Sequence, residues 1–310
     1  MIVIKRLFII ITSIIMILFI TMITIHVKND RAIETPEKKP KIETTEDDKQ
    51  MGESVEEDTE ESESVIATED PVRDFLSKNV RQAVQRFFHR ELSVISIGDS
   101  LTEGVGDDEK DGGYTGVLEK SINENEHLVT IENFGKRGNR TDQLMKRLEE
   151  EEEVIHGVEN ADIILITIGA NDVMKVFKDN FTDLELEKFT SEQIRYEQRL
   201  NQILSKIQDL NPDATTYLIG FYNPFREYFP EIDELEYIVN SWNDIGLDVT
   251  KQFENTHYIP MKDVFENSDI ELFADDNFHP NHVGYELMAK RILDYMINEE
   301  GEDERIQTDE

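Results

Sequence analysis

From residue 92 to residue 298 the chain alternates short apolar runs with longer stretches whose apolar residues recur every three or four positions. The clearest run, ADIILITI at 161–168, leaves no polar side that could face water. A strand apolar on both faces must be covered on both. Strands of that kind alternating with helices specify a parallel sheet packed between helices. The pattern predicts strands at 92–97, 128–133, 161–168, 215–220 and 257–260. Helices are predicted at 114–124, 141–153, 192–210, 234–255 and 283–298. A further helical period (Val72, Phe75, Leu76, Val80, Val84, Phe87 and Phe88) begins after Asp70, a cap candidate ahead of Pro71. Sheets of this type bind ligands outside the carboxyl ends of their strands, so the residues that follow each strand carry the functional question.

The first 70 residues follow another logic. Residues 7–25 contain no charge, and a helix of that length spans roughly 28 Å, close to a bilayer core. Lys5 and Arg6 precede it, and no small-residue cleavage pattern follows. Residues 1–27 therefore read as an uncleaved membrane anchor with its amino terminus inside, the competing reading being a cleaved signal peptide. Residues 28–70 are acidic and nearly free of large apolar side chains. They read as a disordered linker, because they bury too little surface to offset ordering entropy. The folded domain is expected over 71–298, and an acidic, frayed tail over 299–310.

The net charge of −36, from 68 acidic and 32 basic residues, argues against nucleic acid as a partner, since phosphate binding needs a basic face. The absence of cysteine excludes disulfides, thiolate metal sites and a cysteine nucleophile.

Four blocks fall where chemistry is expected. Gly98-Asp99-Ser100-Leu101-Thr102 follows the first strand. The stretch from Asn133 to Asn139 (NFGKRGN) follows the second, and Gly169-Ala170-Asn171-Asp172 the third. Asp276-Asn277-Phe278-His279-Pro280-Asn281 precedes the last helix. Together, in this order, they resemble the SGNH, or GDSL-type, esterase and lipase family over about residues 92–298. The resemblance implies a three-layer α/β/α fold with a five-stranded parallel, flavodoxin-like sheet. It implies Ser100 as nucleophile, His279 as base and Asp276 as the acid that orients it. Ser100, Gly138 and Asn171 are implied as oxyanion-hole donors.

Elementary chemistry agrees with those roles. A serine hydroxyl needs a neighbouring base, histidine titrates in the right range, and a carboxylate on its other nitrogen stabilises the imidazolium. No G-x-S-x-G elbow is present, so the α/β-hydrolase plan is not in use. The expected function is a membrane-tethered, extracellular bacterial serine ester hydrolase acting on a small-molecule, lipid or glycan ester, with no cofactor and no metal. Its alternatives are an acetyl esterase or acyltransferase on envelope polysaccharide, and a non-catalytic wall-binding module.

Each residue also has a structural reading. Ser100 is a good helix cap, Gly138 a turn glycine, Asn171 and Asp172 strand-end turn residues, and Asp276 with His279 a surface pair. Asp99 and Asp172 read as structural, and His282 as an exposed first-turn residue. The loop 104–113 is either a flexible border of the acyl site or a solvated turn. Segment 173–190 is either a lid or a short helix packed on the core. Phe221, Tyr222, Phe225, Tyr228 and Phe229 are candidates for lining an acyl or sugar pocket.

Overall fold

The computed structural model describes residues 91–307, except 125, 126, 227 and 267–269. The anchor, the linker and the helical period at 72–88 lie outside the described residues. Among the described residues, no helix is long and apolar enough to cross a membrane.

Five strands form one parallel sheet: β1 (Leu92–Gly98), β2 (Val129–Gly135), β3 (Ile163–Thr167), β4 (Thr215–Ile219) and β5 (Thr256–Ile259). Their order is β2-β1-β3-β4-β5. Nine helices accompany them among the described residues: α1 (Ser100–Glu103), α2 (Gly113–Ile122), α3 (Thr141–Glu150), α4 (Glu152–Asn160), α5 (Ala170–Asp179), α6 (Leu186–Leu210), α7 (Asp233–Thr250), α8 (Lys262–Glu266) and α9 (His282–Gln307).

The period of two in the central strands divides the core. Ile95, Ile97, Ile164, Ile166 and Leu218 face one layer, filled from α3 to α7 by residues such as Leu148, Val158, Phe177, Leu200 and Trp242. Val94, Ile163, Leu165, Tyr217 and Ile219 face the other, filled from α2, α8 and α9 by Tyr114, Phe265, Tyr285 and Ile292. Alternating side chains pack against opposite layers, and every residue of β3 is buried. The three-layer α/β/α arrangement is the one expected.

The chain leaves β1 to one side to make β2, then crosses to the other side to make β3. A crevice opens at such a switch point, beyond the carboxyl ends of β1 and β3. Ser100 and Asn171 follow those two strands directly.

Several elements differ from expectation. The helix predicted over 141–153 is two helices, broken at Glu151, which is extended at φ −93° and ψ 102°. Five consecutive glutamates, 149–153, repel one another there. The break also turns Val154 and Val158 into the core, and the Arg147 guanidinium bridges it, donating to Glu151 (2.7 Å) and to the Phe134 carbonyl (2.8 Å). Segment 173–190 divides: its first turns pack on the core, while Phe181, Leu184 and Leu186 stay exposed. Val173, Val176 and Phe177 of α5 are buried, and α6 begins at Leu186 instead of 192. Helix α9 continues through Gln307, into the stretch expected to fray.

Ile166 is fully buried in β3. Ile166→Ala should cost about 2–5 kcal/mol, the usual range for a large core truncation. A urea titration should show a lower midpoint with an unchanged slope.

Candidate active site

Gly98 ends β1 at a point where the backbone passes very close to β3. A Cβ there would lie 2.2 Å from the Thr167 carbonyl oxygen, at φ +150°. Asp99 follows and caps α1: its Oδ1 accepts from the Leu101 N–H (3.0 Å) and the Thr167 hydroxyl (2.9 Å). The network continues from Thr167 to Thr102 (2.7 Å) and from Thr102 to the Tyr114 hydroxyl (2.9 Å). These side chains are buried and hold the turn that presents Ser100. Ser100 is the first residue of α1, so its N–H has no acceptor within the helix. The structural role expected of Asp99 is the one observed.

Burial pushes the Asp99 carboxyl up to about 7, against the hydrogen bonds from Leu101 and Thr167 that favour its charge.

His279 stands 179 positions from Ser100 in sequence, and its Nε2 is 3.0 Å from the Ser100 Oγ. Its Nδ1 is 2.6 Å from Asp276 Oδ2, while Asp276 Oδ1 accepts from the backbone N–H groups of His279 (2.9 Å) and Phe278 (3.0 Å). Partial burial works against the Asp276 charge, but the hydrogen bonds from His279 and Phe278 outweigh it and hold the carboxyl below its ordinary value. An ionised acceptor on Nδ1 leaves Nε2 to take a proton from the serine.

Gly138 lies at φ +77° on the exposed turn after β2, and a side chain there would meet open space. Its glycine character follows from the left-handed backbone rather than from crowding. The turn is tied down by the Glu103 carboxylate, which accepts from the Arg137 N–H, and by the Asn139 side chain on the Lys136 carbonyl (3.0 Å). The Asn171 amide donates one hydrogen to the Asn139 carbonyl (3.1 Å), which leaves its second N–H for a ligand. The structure thus brings Asp276, His279 and Ser100 into one hydrogen-bonded chain, with Asn171 linked to the turn that carries Gly138. Asp172 is structural: it accepts from the Thr141 N–H (3.1 Å) and hydroxyl (2.6 Å) and from Arg199 (2.9 Å).

The aromatic residues after β4 depart from expectation. Phe221, Tyr222 and Phe225 are buried rather than lining an open pocket. The Tyr222 hydroxyl donates to the Phe278 carbonyl (2.5 Å), and that of Tyr228 donates to the Asp276 carbonyl. Burial raises Tyr222 well above its ordinary value, so it remains a donor. These two tyrosines position the loop that carries the histidine. Neither role is visible in sequence, because the partners are main-chain carbonyls about 50 residues away.

His282 is likewise not the exposed residue expected. Its side chain is 15% exposed, with Nδ1 3.0 Å from the buried Asp107 carboxylate and Nε2 near Glu109 (3.5 Å) and Glu286 (3.6 Å). Burial opposes its charge, yet these carboxylates raise it above the ordinary histidine value. Donor atoms of Glu109, Asp111 and His282 lie within 4.8 Å of one another, and Lys120 pairs with Asp111 at 2.7 Å. The group reads as an ion-pair network joining loop 104–113 to α9. The loop is packed, not free: a Cβ on Gly106 would meet His279 Cβ at 2.9 Å, and the Tyr285 hydroxyl holds the Val105 carbonyl (2.7 Å).

Residues 96–287, more than half of the chain, match the GDSL-like lipase/acylhydrolase family. The chain belongs to that family. The family comprises esterases and lipases, in keeping with a serine beside a histidine at the switch point. The chain is also 34% identical over 230 residues to YpmR of Bacillus subtilis (strain 168), described as uncharacterized, covering 73% of this chain and 89% of that one. Among solved structures it resembles the lipase Lip_vut3 from a goat rumen metagenome (TM-score 0.57, 24% identity, 65% of this chain and 95% of that one). It also resembles an acetylxylan esterase from Geobacillus stearothermophilus (TM-score 0.50, 21% identity, 66% and 93%). At such identities these two structures speak to the fold.

Folded protein keeps the Asp99 proton up to about pH 7, whereas an unfolded chain releases it near pH 4. The folded state therefore binds more protons in that window, and this carboxyl's contribution to stability falls as pH rises through it. Asp99→Asn keeps the Oδ1 acceptor without the charge. Thermal melts between pH 4 and 8 should show the variant gaining on the wild type as pH rises, and parallel curves would refute the assignment.

Proposed function

We propose that the protein is a membrane-tethered, extracellular serine ester hydrolase that works through an acyl-enzyme. The observation that carries this reading is the 3.0 Å approach of His279 Nε2 to the Ser100 Oγ, with Asp276 at 2.6 Å on the other ring nitrogen. In the proposed reaction His279 takes the Ser100 proton as Oγ attacks the ester carbonyl. The developing oxyanion accepts from the N–H groups of Ser100 and Gly138 and from the Asn171 amide. Each such donor is worth roughly 3–4 kcal/mol when removed. The protonated His279 then gives its proton to the departing alcohol, and water releases the acid by the same steps in reverse order. Asp276 holds the ring and balances its charge.

The tether is read from residues 7–25 and the basic pair before them, with 28–70 as spacer. Within this reading a short acyl group, such as acetyl on a glycan, is favoured over a long chain. The aromatic side chains after β4 that would line an acyl channel are packed into the core or hold main-chain carbonyls.

The test is hydrolysis of p-nitrophenyl esters from acetate to palmitate by the full chain in detergent, with Ser100→Ala alongside. The variant should lose roughly a thousandfold or more in kcat, and acetate should be the preferred ester. Undiminished activity in the variant would sink the serine mechanism. A preference for palmitate would reverse the short-chain reading.

A further inference from the structure

Two of the proposed oxyanion donors, Asn171 and Gly138, belong to different elements. Asn171 lies in the first turn of α5, and Gly138 comes three residues before Thr141, where α3 begins. No contact between neighbours in sequence fixes the distance from one to the other. Two hydrogen bonds tie these helix starts together. The Asn171 amide donates to the Asn139 carbonyl (3.1 Å), and the Thr141 N–H donates to Asp172 Oδ2 (3.1 Å). The Thr141 N–H is a donor that α3 cannot satisfy from within. Asp172 satisfies it from the next helix.

Asp172 does not hold that bond unaided. Its side chain is 1% exposed. Burial raises its carboxyl above the ordinary value, against Thr141 and Arg199, which favour the charged form. Arg199 reaches the pair from α6, 27 positions further along the chain. Its Nε donates to the Thr141 hydroxyl (2.6 Å), and one terminal nitrogen donates to Asp172 Oδ1 (2.9 Å). The Thr141 hydroxyl donates to the same Oδ1 (2.6 Å), which closes a triangle. Glu192 steadies the guanidinium from the other side, accepting from Arg199 (2.6 Å) and from Arg195 (2.9 Å). Without the guanidinium, a carboxyl this buried tends to take up a proton. One of the oxygens that Thr141 bonds would then become a donor.

We infer that Arg199 is a positioning residue for the oxyanion hole: by holding Asp172 and Thr141 together, it sets the spacing between the Asn171 amide and the Gly138 N–H. The inference rests on the ester-hydrolase reading and adds to it a residue outside the four sequence blocks. Arg199 acts through the two donors and touches no reacting atom. Oxyanion donors work only when they stand about 2.7–3.1 Å from the developing charge. A shift of about 1 Å at a reacting centre costs roughly a hundredfold in rate. The oxyanion forms only on the way to the transition state, so a loosened fork lowers kcat and spares KM.

The test uses the full chain in detergent with Arg199→Gln, with Arg199→Lys and, as a control, with Arg195→Gln. The control removes a cation that pairs with Glu192 and not with Asp172 or Thr141. The readouts are kcat and KM on p-nitrophenyl acetate, and the affinity for a phenylboronic acid. The boronate adduct on Ser100 places an oxygen where the oxyanion would form. Arg199→Gln should lower kcat roughly tenfold to a hundredfold, keep KM within about twofold, and weaken the boronate in step with kcat. Arg199→Lys keeps the charge without the two-sided fork, so it should fall between Arg199→Gln and the wild type. Arg195→Gln should match the wild type. Wild-type kcat and boronate affinity in folded Arg199→Gln would overturn the inference. So would a loss confined to KM, or an equal loss in Arg195→Gln. Should Arg199→Gln fail to fold, Arg199→Lys decides: a lower melting temperature with wild-type kcat would mean support of the fold alone and would overturn the positioning role. Wild-type protein that cleaves no ester and binds no boronate would instead overturn the hydrolase reading beneath it.

Discussion

The close approach of β1 and β3 at their carboxyl ends is the constraint on which the site depends. Gly98 sits against the Thr167 carbonyl with no room for a side chain. Beyond that contact the chain turns sharply, and Asp99 ties the turn to Thr167 and to the start of α1. The next residue is Ser100, and the start of α5 after β3 brings Asn171 against the turn that carries Gly138. A parallel sheet whose strand order reverses between these two strands has its crevice there by topology. The position of Ser100 is thereby set by backbone packing and a buried hydrogen-bond network.

The histidine arrives by a different route. Its loop has little regular structure, yet it is held from several directions. Asp276 accepts from its own loop, Tyr222 and Tyr228 hold two of its carbonyls, and Gly106 packs against His279 itself. The network of Asp107, Glu109, Glu286 and His282 fastens the start of α9 to the loop that follows α1. A base that must sit about 3 Å from a serine needs such support, because small displacements cost rate steeply.

Charge organises the molecule on a larger scale. The chain carries 68 acidic against 32 basic residues, and five adjacent glutamates sit where what reads as one helix breaks into α3 and α4.

The sequence by itself determined the layer architecture and the identity of the candidate site. Apolar runs buried on both faces admit few alternatives to a covered parallel sheet, and the blocks around Ser100, Gly138, Asn171 and His279 sit at the ends of predicted elements. It also marked Asp99 and Asp172 as structural, from their places in strand-end turns. What only the tertiary structure decided depends on partners far apart in the chain. Tyr222 and Tyr228 read as pocket residues until the carbonyls they hold are known. His282 reads as exposed until Asp107 folds over it. Local periodicity reports which face of an element is buried, and it carries no information about which distant side chains share a space.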